Sequence, residues 1–172
     1  FIPSWLAGTF FWLFSSLILA AQSFDEFQLI NSATNGSIRT LTDAAVVNVH
    51  SGADGSALNI EAKVTGSPGS VRFLLSGAES ETRNENVAPY ALKGDSSGNF
   101  VSWTPTVGNY TLTAEVYSGS GAGGSLLDSQ TIQFSVINQA DTTPRSLTVT
   151  NGIGSGTYAP GTVVNISANA PP

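Results

Sequence analysis

The 172-residue sequence has no cysteine, no methionine and a single histidine. Without cysteine there are no disulfides, no Cys-bound zinc, no iron–sulfur clusters and no thiol nucleophile. One histidine rules out a His-rich metal site and leaves little for acid–base catalysis. Basic residues are scarce too, 6 against 12 acidic ones, and the resulting net charge of −6 argues against nucleic acid and anionic membrane surfaces as partners. The missing methionine leads us to expect that residue 1 lies inside a longer reading frame.

What is present divides into unlike parts. Phe1 to Ala21 is an apolar run broken only by Pro3 and small polar residues, and no Lys or Arg occurs before Arg39. Its length, with Ala21 and Ser23 as small residues before a cut after Ser23, predicts an export signal over residues 1–23. A retained membrane anchor is the alternative, since 21 mostly apolar residues could span a bilayer. An acylated lipoprotein is excluded, because there is no cysteine to modify.

From residue 24 to about 138 the dominant hydrophobic period is two. Leu58, Ile60, Ala62 and Val64 alternate with Asn59, Glu61 and Lys63, as a strand with one buried and one wet face requires. Val71–Leu75, Tyr110–Val116 and Ile132–Val136 repeat the pattern, with shorter candidates at Phe27–Ile30, Ala45–Val49, Val87–Leu92 and Phe100–Trp103. Turn formers stand between them: Asn35-Gly36, Asp54-Gly55, Ser67-Pro68-Gly69, Gly94–Gly98, Val107-Gly108-Asn109 and Gly119–Gly124. The spacing predicts an all-β, immunoglobulin-like antiparallel sandwich of seven or eight strands. Trp103 is the expected central plug, and its indole N–H then needs a partner.

Few side chains carry candidate chemistry. Gly119 to Gly124 satisfies G-x-G-x-x-G, but no helix is expected after it, so it reads as a hairpin loop. His50, Ser51 and Asp54 bring the residue types of a catalytic triad into one short stretch that reads as a solvated turn. Asp95-Ser96-Ser97-Gly98-Asn99 is an oxygen-rich loop and a weak calcium candidate; no other cofactor is expected. Glu79, Glu81 and Glu85 form an acidic patch expected on a solvated loop or edge. Among the aromatic rings, Tyr117 is out of phase with the core positions of Tyr110–Val116. It is the expected exposed platform for carbohydrate, with Trp103 as a second.

Two stretches resemble known families. Gly69–Gly77, then Ala88-Pro89-Tyr90, then Gly108–Tyr117 is similar to the bacterial Ig-like modules of secreted multidomain proteins. Ser146–Pro172, with Gly152-Ile153-Gly154 and Tyr158-Ala159-Pro160-Gly161, resembles the opening of a divergent internalin-type B-repeat. With the leader over 1–23, the resemblances imply a sandwich over 24–140, a linker over 141–145 and an incomplete second β module over 146–172. They imply a non-catalytic spacer, presentation or adhesion module, secreted or at the cell surface, with neighbouring domains, extracellular polysaccharide or a cell-surface protein as partners. The other reading is a carbohydrate-binding accessory domain of a secreted polysaccharide-degrading enzyme.

Overall fold

A computed structural model describes residues 22–169; of the leader expected over residues 1–23, residues 1–21 lie outside them, as do residues 170–172. The alternating segments form two packed sheets. One has the order β2–β1–β4–β7, built from β1 (Ser23–Asn31), β2 (Gly36–Leu41), β4 (Leu58–Thr65) and β7 (Tyr90–Ala91). The other has the order β3–β11–β10–β5–β6, from β3 (Ala45–Asn48), β5 (Ser70–Gly77), β6 (Glu81–Glu85), β10 (Gly108–Gly119) and β11 (Gly123–Ile137). A small hairpin of β8 (Asp95–Ser96) and β9 (Asn99–Phe100) lies between β7 and β10 in sequence. The protein is an all-β sandwich.

The inward residues behave as their period demands. Phe27 and Leu29 of β1, Ile60 of β4, Phe73 of β5, Leu112 of β10 and Phe134 of β11 are all buried in one core. Tyr110 stacks on Phe134 at 5.1 Å and meets Trp103 edge-on at 6.0 Å. Trp103 is the expected plug: it is buried, and its backbone bridges Leu58 through hydrogen bonds of 2.7 and 2.9 Å.

Three features differ from the sequence reading. Nine strands, not seven or eight, make up the two sheets. The extra ones include β6, whose residues Glu81-Thr82-Arg83-Asn84-Glu85 carry no apolar alternation and pair by backbone alone with β5. The sandwich is also not wholly antiparallel, because β3 runs parallel to β11 along Phe134–Ile137. Finally, the outer side of β4 is wet only at Lys63 and not along Asn59 and Glu61. Asn59 is fully buried and Glu61 nearly so. The Asn59 side chain donates to the carbonyls of Gly94 (3.1 Å) and Val101 (2.8 Å) and accepts from the amide of Lys93 (3.2 Å). A polar residue in an outward phase is thus buried by a later segment folding over it.

The registers fix where the chain enters and leaves. Ser23 pairs with Thr65, and the 66–69 turn beyond it is tied to Tyr117, so β1 begins at the end that also holds the β10–β11 hairpin tip. Ile137, by contrast, pairs with Asn48 beside the Gly108–Val136 pair at the start of β10. Entry and exit lie at opposite ends of the sandwich. Beyond it, β12 (Arg145–Leu147) pairs with β14 (Gly156–Tyr158), and β13 (Gly152–Ile153) with β15 (Ser167–Ala168). Ile153, Val163 and Ile166 remain exposed there.

Candidate functional site

Asp54, Glu79, Asp95 and Tyr117 each have structural contacts. The triad types near residue 50 do not converge. His50 Nδ1 lies 3.1 Å from Asn138 Oδ1, while Asp54 accepts from Arg39 (2.9 Å) and from the amide of Asn48 (2.9 Å). Asp54 therefore fastens the 50–55 turn to β2 and to the end of β3 rather than orienting an imidazole.

The Gly119–Gly124 stretch is the β10–β11 hairpin tip, as expected. A single 3-10 turn at Ser120–Ala122, with Gly121 at φ 65°, runs straight into β11. The Asp95 loop is a tight hairpin whose two central residues, Ser97 and Gly98, have positive φ (52° and 85°). Asp95 Oδ2 accepts the Gly98 amide at 2.6 Å, so the carboxylate closes the turn. No cluster of three metal-ligating side chains occurs among the described residues.

Glu79 departs most from expectation. Instead of lying on a solvated edge, its carboxylate gathers three donors. Trp103 Nε1 donates to Oε2 (3.0 Å) and the Thr106 amide to Oε1 (2.6 Å); the Tyr110 hydroxyl stands 3.2 Å from Oε1 and 2.8 Å from the Thr106 carbonyl. Burial raises the carboxyl pKa, but donation from Thr106, Trp103 and Tyr110 outweighs it and leaves Glu79 below the usual glutamate value. Burial, with the Glu79 charge beside it, pushes the Tyr110 phenol up to about 12. Lys93 lies over the Trp103 ring at 5.1 Å and pairs with Glu81, and Arg83 pairs with Glu85. The predicted acidic patch is therefore an ion-paired closure of one side of the sandwich.

Tyr117 does lie on the outer face, as its phase indicates, yet only 9% of it is exposed. Arg72 on the neighbouring strand covers the ring at 5.1 Å and donates to its hydroxyl (2.6 Å), which in turn donates to Glu115 (2.9 Å). Trp103 is 7% exposed. Neither ring of the expected carbohydrate platform offers a free face. Periodicity assigned Tyr117 its side of the sheet correctly; the cover came from a cross-strand neighbour 45 positions away, which periodicity cannot see.

An open cleft of 460 Å³ lies beside β4 and β7, lined by Glu61, Lys63, Pro68, Val87 and Tyr90. Its one fixed charge pair, Lys63 with Glu61 at 2.7 Å, is internally neutral. No helix among the described residues is long and apolar enough to cross a membrane. No family model, no curated protein and no solved structure matches the chain.

Proposed function

We propose that the chain is a non-catalytic module of a larger exported protein, acting as a spacer that holds neighbouring domains apart and presents them. The observation that carries this reading is the placement of entry and exit at opposite ends of the sandwich. A chain that enters at Ser23 and leaves past Ile137 is displaced by the length of the strands. For the nine residues of β1 that is about 30 Å, at about 3.3 Å per residue. The apolar leader motivates export, and the polar 141–144 stretch ending in Pro144 suits a linker to the next module. Engagement of Asp54, Glu79 and Asp95 in holding loops together is in keeping with a structural role.

The test is a distance. Two fluorescent proteins joined through residues 24–140 should be separated by about 30 Å more than a pair joined through residues 141–144 alone. Equal energy transfer in the two fusions would sink the spacer reading. Fused ahead of a reporter enzyme, residues 1–23 should carry it out of the cytoplasm, and retention inside the cell would remove the exported part of the proposal.

A further inference from the structure

Strand β11 carries a carboxylate where its period calls for an apolar residue. Asp128 stands opposite Val116 of β10, in the inward phase that continues through Gln130 to the buried Ile132, Phe134 and Val136. From there it reaches across the gap between the two sheets. Its Oδ2 accepts the backbone N–H of Phe24 at 2.9 Å, and its Oδ1 accepts that of Ser129 at 2.8 Å. Among the described residues no Lys or Arg forms an ion pair with it. The 340 Å³ gap beside it is lined by Asp25, Glu26 and Asp43 as well, and by no basic side chain.

Phe24 is held for this contact from its own side. β2 pairs with β1 only from Phe27 onward, so ahead of Phe27 that side of β1 has no strand beside it among the described residues. A bulge at Asp25, between the Phe24–Val64 and Glu26–Lys63 pairs, re-aims the first residues of the strand. The Phe24 ring is partly buried against the core and packs on Phe27 at 4.7 Å, which anchors the residue independently of what precedes it. Its nitrogen is also the atom on which the expected export cut falls, because a cut after Ser23 makes Phe24 the first residue.

We propose that Asp128 is the receptor for the N-terminus that leader removal creates, where the neutral Phe24 N–H contact becomes an ion pair between the Phe24 α-ammonium and the Asp128 carboxylate. The inference rests on the exported reading given above. Water adds across the Ser23–Phe24 peptide bond under a leader peptidase. Ser23 departs with the leader as a carboxylate, and Phe24 keeps the nitrogen as an amine that takes up a proton. No movement is required, since 2.9 Å already lies in the range of a charge-assisted N–H···O contact. The cut gives up the Gln22 contact with the Ser67 carbonyl and the Ser23–Thr65 pair. The new charge then fastens the first residue of β1 to β11 of the opposite sheet.

The experiment expresses the full chain with its own leader in a secreting bacterium and reads the N-terminus of the exported product by mass spectrometry. A start at Phe24 is expected. The α-amine of the product is then titrated through the pH dependence of its reaction with acetic anhydride, in the parent and in Asp128→Asn, which keeps an acceptor oxygen and removes the charge. The parent amine should titrate above the ordinary range of about 7.7–8.0, and the Asp128→Asn amine within it. Acetylating the amine should lower the melting temperature of the parent product by about 3 °C and leave that of Asp128→Asn nearly unchanged. The parent amine and its acetylated form decide the matter even if the variant does not fold. A parent amine in the ordinary range, equal titration in the two proteins, or export with a start at any residue but Phe24 overturns this inference and leaves the exported reading standing. A chain kept inside the cell overturns both.

Discussion

The indole N–H of Trp103 donates to Glu79 at 3.0 Å, joining the plug of the core to a loop carboxylate 24 positions earlier in the chain. Three donors converge on that one carboxylate. Glu79→Ala would orphan the Trp103 and Thr106 N–H groups together and should cost about 2 kcal/mol. Urea denaturation followed by Trp103 fluorescence measures it. A midpoint unchanged from the parent would mean that water replaces Glu79 without loss.

The same carboxylate sets an acid limit. Its folded pKa lies below the ordinary value, so its contribution is present above the unfolded pKa and is lost as pH falls through the folded one. The Glu79→Gln variant should therefore lose less stability than the parent over the carboxylate range. Parallel melting curves at neutral and acidic pH give the comparison, and identical pH slopes would contradict it.

An alkaline limit comes from Tyr110. Its phenol stays protonated to about 12 in the fold, while in the unfolded chain it ionises near its ordinary value of 10.0. The folded state thus binds the extra proton in between, so stability is lost as pH rises from 10.0 to the folded value of about 12. Absorbance titration should show part of the tyrosinate signal from the four tyrosines delayed. The Tyr110→Phe variant should lose the most delayed part of that signal, while Tyr90 and Tyr117, whose phenols are also raised, keep a smaller delay.

Asn59 provides a test of polarity at constant size. Its amide nitrogen faces the Gly94 and Val101 carbonyls, and its oxygen faces the Lys93 amide. Asn59→Asp would turn a carboxylate oxygen toward two carbonyls in a fully buried site, at a cost of about 3 kcal/mol or more. Asn59→Ala should be the milder change. Thermal melting that ranks the two in the opposite order would refute the assigned orientation of the amide.

Backbone geometry makes Gly77 irreplaceable where β5 ends. It sits at φ 118°, and an added Cβ would stand 2.1 Å from the Asn109 carbonyl oxygen. Gly77→Ala should destabilise by about 2 kcal/mol, whereas Gly52→Ala, also at positive φ but in open space, should cost less. Matched denaturation curves of the two variants check the difference.

Much of the architecture is legible in residue order. Alternation located β4, β5, β10 and β11, and Asn-Gly, Pro-Gly and the Gly119–Gly124 run marked turns where turns are found. These signals are local: a strand with one buried face must repeat every two residues. Strand β6 escaped because its inward residues are Glu81, Arg83 and Glu85, charged groups that serve at an edge and carry no apolar period. The expected Val87–Leu92 strand shrank to Tyr90–Ala91, with Pro89 unable to donate to a ladder just before it.

The roles of the polar side chains were decided elsewhere. Asn59, Glu79 and Tyr117 all read as wet positions, and all three are covered by residues distant in sequence: the 93–101 segment, Trp103 with Thr106, and Arg72. The sequence by itself determined a cysteine-free, acidic, all-β body with one histidine and little catalytic equipment, because composition and period two are properties of the chain alone. Only the tertiary structure decided which polar groups became its clasps and which carboxylate received the Phe24 amide. Burial and hydrogen bonding depend on what folds against a residue, and the partners here lie tens of positions away.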